Sequence, residues 1–229
     1  MNSPKIVVST GWRFEPEYML EDWKTNTSWF DGQIIYDDRE RDSADRWIDE
    51  SFLYTELRRM ALEQGADWIA HISIDERLDL NAETIIRERI NYLKRTTLRL
   101  PVKELYTPTS YRDNKGFWQH EESRIYPLLE DNVYSDVPFH NPIAPLREHD
   151  RFMQLMSIPV NIYHQKMIEP SSRENRVKIY NEVDPTASLT VLNEYEYLTN
   201  EDNIILKEIE KPYGYIPPYR TFKYETGTQ

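Results

Sequence analysis

Two acidic pairs, Asp37-Asp38 and Asp75-Glu76, each follow a short apolar run that reads as a strand. A carboxylate fixed at a strand end is a hard oxygen donor of the kind Mg2+ or Mn2+ prefers. The same residues also serve as ordinary turn residues, or as a helix N-cap with its first-turn acid. Three glutamates, Glu76, Glu121 and Glu122, are candidates for a general base that takes a proton from a hydroxyl. His140 and His164 sit in contexts where a histidine is either structural or a ligand, whereas His71, inside a strand pattern, reads as a core histidine. Lys166, Arg173 and Arg176 give one late segment a basic character that suits either phosphate binding or a solvated helix face.

These residues depend on the elements around them. The stretch 5–10 is a continuous β-branched run, as in a strand covered on both faces, and Gly11 closes it. A helix is expected over 15–25, and a second buried strand over 32–36 runs into Asp37-Asp38. Ser43 is a candidate N-cap for the clearest helix, whose apolar residues Trp47, Ile48, Phe52, Leu53, Leu57, Met60 and Ala61 recur at steps of three and four. Gly65 is placed to end it in a left-handed conformation. A third strand over 67–73 delivers Asp75 and Glu76 just past its end. Another helix follows over 81–95, then strands over 102–111 and 123–129 without helical crossovers. The second half of 164–180 reads as helix, stopped at Asp184-Pro185. Alternating strands and helices imply an α/β fold, and ligands of open parallel sheets gather beyond the carboxyl ends of the strands.

Composition narrows the classes. The 229 residues carry a net charge of −12, so the chain lacks the broad basic surface that nucleic-acid binding needs. With no cysteine, disulfides, thiolate zinc sites and cysteine nucleophiles are excluded. No window approaches the roughly 20 apolar residues of a membrane helix, and the first apolar run is too short for a signal-peptide core. The expectation is a soluble, cytoplasmic protein. The final stretch, 186–229, is rich in Tyr and Pro, and is expected to pack on the domain, on a second copy or on a protein partner.

The segment Gly65-Ala-Asp-Trp-Ile-Ala-His-Ile-Ser-Ile-Asp-Glu-Arg-Leu78 resembles the strand and metal-binding turn of family 2 glycosyltransferases of the GT-A fold, where an Asp-Trp-like pair opens a strand that leads into an Asp-x-Asp-Glu turn. Ser123-Arg-Ile-Tyr126 with Val137-Pro-Phe-His-Asn141 is similar to the family's later Arg-Leu-Phe and Val-His-Glu stretch. Val160-Asn-Ile-Tyr-His-Gln-Lys166, followed by the basic segment 173–180, is similar to its His-Tyr strand and basic helix. The resemblance runs over roughly 4–185. It implies a GT-A-like, mostly parallel sheet flanked by helices over 1–185, with 186–229 as an extension. It also implies transfer of a sugar from a nucleoside-diphosphate donor to an acceptor hydroxyl, inverting and assisted by Mn2+ or Mg2+. By the same resemblance Asp75 would bind the metal, with His140 or His164 completing the metal or diphosphate site. Thr10, Gly11 and Trp12 would let the nucleotide approach the backbone, Asp37 and Asp38 would lie near base or ribose, and Ser73 would bond the ribose. Ser73 stands where the family carries its first acid, and Gly11-Trp-Arg-Phe14 replaces its opening Asn-Glu. These departures motivate an alternative, a non-catalytic GT-A-like binding or assembly module. A nucleotidyltransferase would need a Gly-rich phosphate loop after the first strand, which is absent.

Overall fold

The computed structural model describes residues 3–41, 50–114, 120–135, 143–145, 154–183, 195–202, 204–210 and 214. Among these, ten strands form one mixed sheet flanked by four helices, an α/β architecture. The parallel core is made first by β1 (Ile6–Trp12), β2 (Gly32–Asp37) and β3 (Trp68–His71), with β1 in the middle. The β-branched run of β1 is buried on both faces, as a central parallel strand requires. Helix α1 (Glu17–Asn26) follows Pro16, whose backbone is already extended before the first turn. The next helix, α2 (Glu50–Glu63), buries Leu53, Leu57 and Ala61 on one stripe, while Phe52 is 39% exposed at its border. Gly65 ends that segment at φ 67°, and Ala66 N donates to Ala61 O. The expected N-cap Ser43, with Trp47 and Ile48, lies outside the described residues.

After β3 come the short β4 (Glu76–Leu78), the helix α3 (Ala82–Tyr92) and the long β5 (Thr96–Thr107). The strand expected over 102–111 is in fact the end of β5 and a turn into β6 (Ser110–Arg112). β7 (Glu121–Pro127) runs antiparallel between β3 and β5. β8 (Gln154–Ser157) and β9 (Ile162–His164) both pair parallel with β5, and Pro101, which has no N–H to donate, falls where one hands over to the other. β9 also pairs antiparallel with β4. The last helix is α4 (Pro170–Val183), and β10 (Leu206–Glu208) adds to the sheet edge through β6. From the Tyr-rich stretch, Tyr195 is 1% exposed and its ring lies 4.9 Å from that of Tyr180 on α4.

Alternation along the strands sorts the core into two layers. Ile6, Val8, Trp68, Ala70 and Ile125 face α1 and α3 on one side. Val7, Ile34, Ile69 and Tyr126 face α2 on the other. Among the described residues no helix is long and apolar enough to cross a membrane.

Candidate functional site

On the α2 side the same alternation continues past the apolar layer into polar residues. Ser9 follows Val7 by two, His71 follows Ile69 by two, and Glu122 and Arg124 precede Tyr126 at the same step. These side chains, with residues from the ends of β1, β3, β5 and β9 and from α4, surround a cavity of about 240 Å³. Leu53, Tyr54 and Leu57 of α2 form its apolar wall. The cavity therefore opens beyond the carboxyl ends of the parallel strands, the position where α/β sheets hold ligands.

The turn after β3 is fixed from three directions. Trp23 Nε1 donates to Ile72 O at 2.9 Å, tying the strand end to α1. Arg77, 3% exposed, donates to the carbonyls of Ile74, Glu76 and Met19. Glu76 Oε2 accepts from Ser73 N at 2.7 Å, closing the turn on itself. Held in this way, Asp75 is 3% exposed and still lines the cavity.

Asp75 Oδ2 lies 3.2 Å from His164 Nε2 and 4.0 Å from Lys166 Nζ. The other nitrogen of His164, Nδ1, is 2.8 and 2.9 Å from the two oxygens of Glu104. Strand register brings these residues together, since His164 on β9 is the partner of Glu104 on β5 and of Glu76 on β4. Burial alone would strip the proton from His164, but the Glu104 and Asp75 carboxylates overcome it and push its pKa up to about 10. Asp75 moves oppositely: burial favours its neutral form, and His164 and then Lys166 hold it well below the usual carboxylate range. Glu104 is lowered against burial by His164.

A second network is centred on Arg124. Its Nη2 donates to Glu76 Oε1 at 2.6 Å and also contacts Glu122 Oε2. Glu122 Oε1 in turn pairs with His120 Nε2 at 2.7 Å. A register shift against Leu98 and Arg99 leaves Arg124 as the extra residue of a bulge, which aims its guanidinium at both glutamates. Burial raises the Glu76 pKa despite Arg124. For Glu122 burial acts in the same direction, yet Arg124 and His120 win and lower it to about 2. Deeper in, Ser9 Oγ lies 2.6 Å from His71 Nδ1, and His71 Nε2 lies 2.8 Å from the Tyr126 hydroxyl. Burial, then Arg58 and Arg124, keeps His71 neutral.

Of the residues singled out in the sequence, the cavity wall contains Thr10, Gly11, Ser73, Asp75, Glu76, Glu122 and His164. Trp12, Asp37, Asp38 and Glu121 are not part of it. Trp12 Nε1 donates to Glu15 O, and the Arg39 guanidinium stacks 3.5 Å over the Trp12 ring while holding Asp37. Asp38 is buried and forks onto Arg41, with Arg13 Nε at 3.5 Å. Glu121 points to the opposite face of β7, where Ser157 Oγ and Arg99 meet it. His140 lies outside the described residues. Glu104 and His120 were not legible as site residues in the sequence, and Arg124 stood in the Ser123-Arg-Ile-Tyr126 stretch without a role. The sequence left Lys166 and Arg176 between phosphate binding and a solvated face, and both line the cavity. Arg173 instead donates to Met167 O and pairs with Glu201.

Asp75 and His164 offer two donors, one oxygen and one nitrogen, that a small divalent ion would use as a pair. Two neighbouring ligands at about 2.0–2.1 Å and a right angle stand about 3 Å apart, close to the Asp75–His164 separation. Glu104 on Nδ1 stands where an outer carboxylate would orient the imidazole if His164 held a metal. Among the described residues no set of three His, Asp or Glu side chains is arranged for a metal, so a ligand and water would complete the shell.

No family model matches the chain, and no curated protein matches it. Among solved structures it is similar to a crystal structure of a glycosyltransferase involved in the glycosylation of the major capsid of PBCV-1, at 10% identity and a TM-score of 0.33. That match covers 56% of this chain and 61% of the other. A likeness this distant carries no weight for function, which rests on the cavity itself.

Proposed function

We propose that the chain transfers a sugar from a nucleoside-diphosphate donor to an acceptor hydroxyl. The observation that carries this reading is the adjacency of Asp75 Oδ2 and His164 Nε2 at 3.2 Å, with Lys166 alongside, in a cavity at the carboxyl ends of the parallel strands. Asp75 and His164 would hold Mn2+ or Mg2+, which when bound neutralises charge on the departing diphosphate. Lys166 and Arg176 supply fixed positive charge to the same oxygens. Among the described residues Arg176 Nε is buried without a hydrogen-bond partner, a donor that a phosphate oxygen would satisfy. Thr10, Gly11 and Ser73 form the floor on which the nucleotide rests. A Cβ at Gly11 would stand 2.6 Å from Leu53 Cδ2, so a larger residue here would have to displace the Leu53 side chain. Inversion requires a base on the acceptor side, and of the three candidate glutamates Glu76 and Glu122 face the cavity.

The test is release of nucleoside diphosphate from a panel of sugar donors with and without Mn2+. Manganese-dependent release that falls at least a hundredfold in Asp75→Ala is expected. No release from any donor would overturn the reading.

One observation favours a second reading, a non-catalytic binding or assembly module. Asp75, Glu76, Glu104 and Glu122 are each already paired with a cationic side chain, so the carboxylates of the site are satisfied without a ligand. Light scattering that shows an oligomer, together with no nucleotide binding, would support it.

A further inference from the structure

We propose that segment 195–202 of the C-terminal extension is a strap that completes the diphosphate side of the cavity, with Tyr195 as the residue that positions Arg176. It deepens the sugar-transfer reading of the cavity, on which it rests, by giving the Tyr-rich extension a place in the site.

Helix α4 carries Arg176 but has little apolar surface with which to dock itself. Among its described residues only Ser172 and Arg173 are buried, and its Val177 and Tyr180 are half-buried. A helix with so narrow an apolar stripe needs cover from elsewhere. Segment 195–202 supplies it. Tyr195, 1% exposed, and Leu198, 2% exposed, close with Met167 into a small apolar cluster against Val177 and Tyr180. Both ends of the helix are tied to the same segment. Arg173 Nη2 donates to Glu201 Oε1 at 3.1 Å, and Asn181 Nδ2 donates to Glu196 Oε1 at 3.2 Å. The Tyr106 hydroxyl donates to the same Glu201 oxygen at 2.9 Å, which fastens the strap to β5. Glu196 and Glu201 are exposed, so these polar ties guide the segment while buried Tyr195 and Leu198 hold it.

The strap reaches the cavity by two routes. Leu198 itself lines the wall, together with Met167 and Tyr180. Tyr195 acts through its neighbours. Its ring lies 4.9 Å from that of Tyr180, and the Arg176 guanidinium stands 5.2 Å from the centroid of the Tyr180 ring, within cation–π range. Packing the strap on Tyr180 therefore fixes the ring on which Arg176 rests, and Arg176 lines the cavity with Lys166. Arg173 reinforces the arrangement, because its Nη1 donates to Met167 O and Ile168 O in the turn that follows Lys166. One arginine thus clamps that turn and the strap together. The extension is in this way coupled to both cations that would meet a diphosphate.

The experiment titrates wild type, Tyr195→Leu, Tyr195→Phe, Arg176→Ala and the Tyr195→Leu, Arg176→Ala double variant by calorimetry. The probes are UDP, GDP and inorganic pyrophosphate, each with Mn2+. Arg176→Ala is expected to weaken whichever of them bind by about 10–100-fold, the loss of a charge-assisted contact. Tyr195→Leu, which keeps apolar bulk and removes the ring, should weaken them by about 5–30-fold, and Tyr195→Phe should stay within about twofold of wild type. In the double variant the Tyr195 change should add less than about twofold, because its effect runs through Arg176. Hydrogen exchange of the wild type needs no substitution. The Leu198, Thr199 and Asn200 amides, which donate to Tyr195 O and Glu196 O, should slow by at least about threefold when UDP or pyrophosphate binds. A wild type that binds nucleotide while the two single losses add in full, or while the strap amides ignore the ligand, overturns the strap and leaves the transfer reading standing. Pyrophosphate binding that follows the expected cycle, without turnover of any sugar donor, keeps the strap and removes the transfer reading. A wild type that binds neither nucleotide nor pyrophosphate overturns both.

Discussion

Replacing Arg124 with methionine keeps the reach of the side chain and removes the one positive charge that two glutamates share. Arg124 is 7% exposed and Glu76 2%, and the guanidinium meets the Glu76 carboxylate at 2.6 Å. In the variant Glu76, 2% exposed, keeps the Ser73 amide at its second oxygen and has no cationic partner within ion-pair distance among the described residues. Breaking one side of a buried pair costs about 3–5 kcal/mol. Glu122 adds less, because its side chain is 32% exposed and it retains His120. At about 2–4 °C per kcal/mol for a chain of this length, the expected fall in Tm at pH 7 is about 6–20 °C. The pH dependence follows from burial, which already raises Glu76 above its ordinary value of 4.5. A group whose pKa is higher in the folded state stabilises the fold in its protonated form. Without Arg124 that pKa rises further, so the deficit shrinks as pH falls from 7 toward 4.5. Urea unfolding followed by circular dichroism at both ends of that window measures it. A deficit under about 1 kcal/mol at pH 7, well below the cost of an unpaired buried charge, would refute the reasoning. So would one of equal size at both pH values.

Gly11→Ala should destabilise by about 1–3 kcal/mol, the cost of overpacking, because the new methyl meets Leu53, itself 4% exposed, at 2.6 Å. Adding Leu53→Ala should recover part of that loss, and strict additivity in urea midpoints would contradict the packing account. His164, with a folded pKa of about 10, should remain an imidazolium at pH 8 in metal-free protein. Its contribution is complete below the ordinary value of 6.5 and disappears as pH rises through about 10, so a urea midpoint flat over that range, or a neutral ring in the NMR spectrum at pH 8, would contradict it. Glu104→Gln should weaken Mn2+ binding, read by electron paramagnetic resonance, by about 10–100-fold; unchanged affinity would mean that Glu104 does not orient His164.

Local pattern made the parallel half of the sheet legible. The run Ile6-Val-Val, the step-of-four stripe Leu53, Leu57 and Ala61, and Gly65 at positive φ are all local signals. They suffice to place Asp75 and Glu76 beyond a strand end. Glu104 had no such signal, because it becomes a neighbour of His164 only through a pairing 60 residues apart. His120, Glu122 and Arg124 did leave a trace in the sequence. Their spacing of two places them on one strand face with Tyr126, yet residues at that spacing read equally as a solvated edge until α2 closes over the same face. The register shift at Arg124 is a tertiary outcome that no local propensity announces. Arg176 read as part of a solvated helix face because α4 is weakly amphipathic, and it is the docking of that helix that turns this side chain into the cavity. Asp37 and Asp38 went the other way: strand-end acids that look like ligands are consumed by Arg39, Arg41 and Arg13 nearby in the chain.

On the proposed reading Asp75 and His164 form a nucleotide-linked metal site. Calorimetric titration of the pure protein with UDP, GDP and their common sugar conjugates, with and without manganese, tests it most directly. Micromolar binding, about −8 kcal/mol, that requires manganese and disappears in Asp75→Ala is the expected result. Absence of binding to all of them, or binding indifferent to both manganese and Asp75, would contradict the claim.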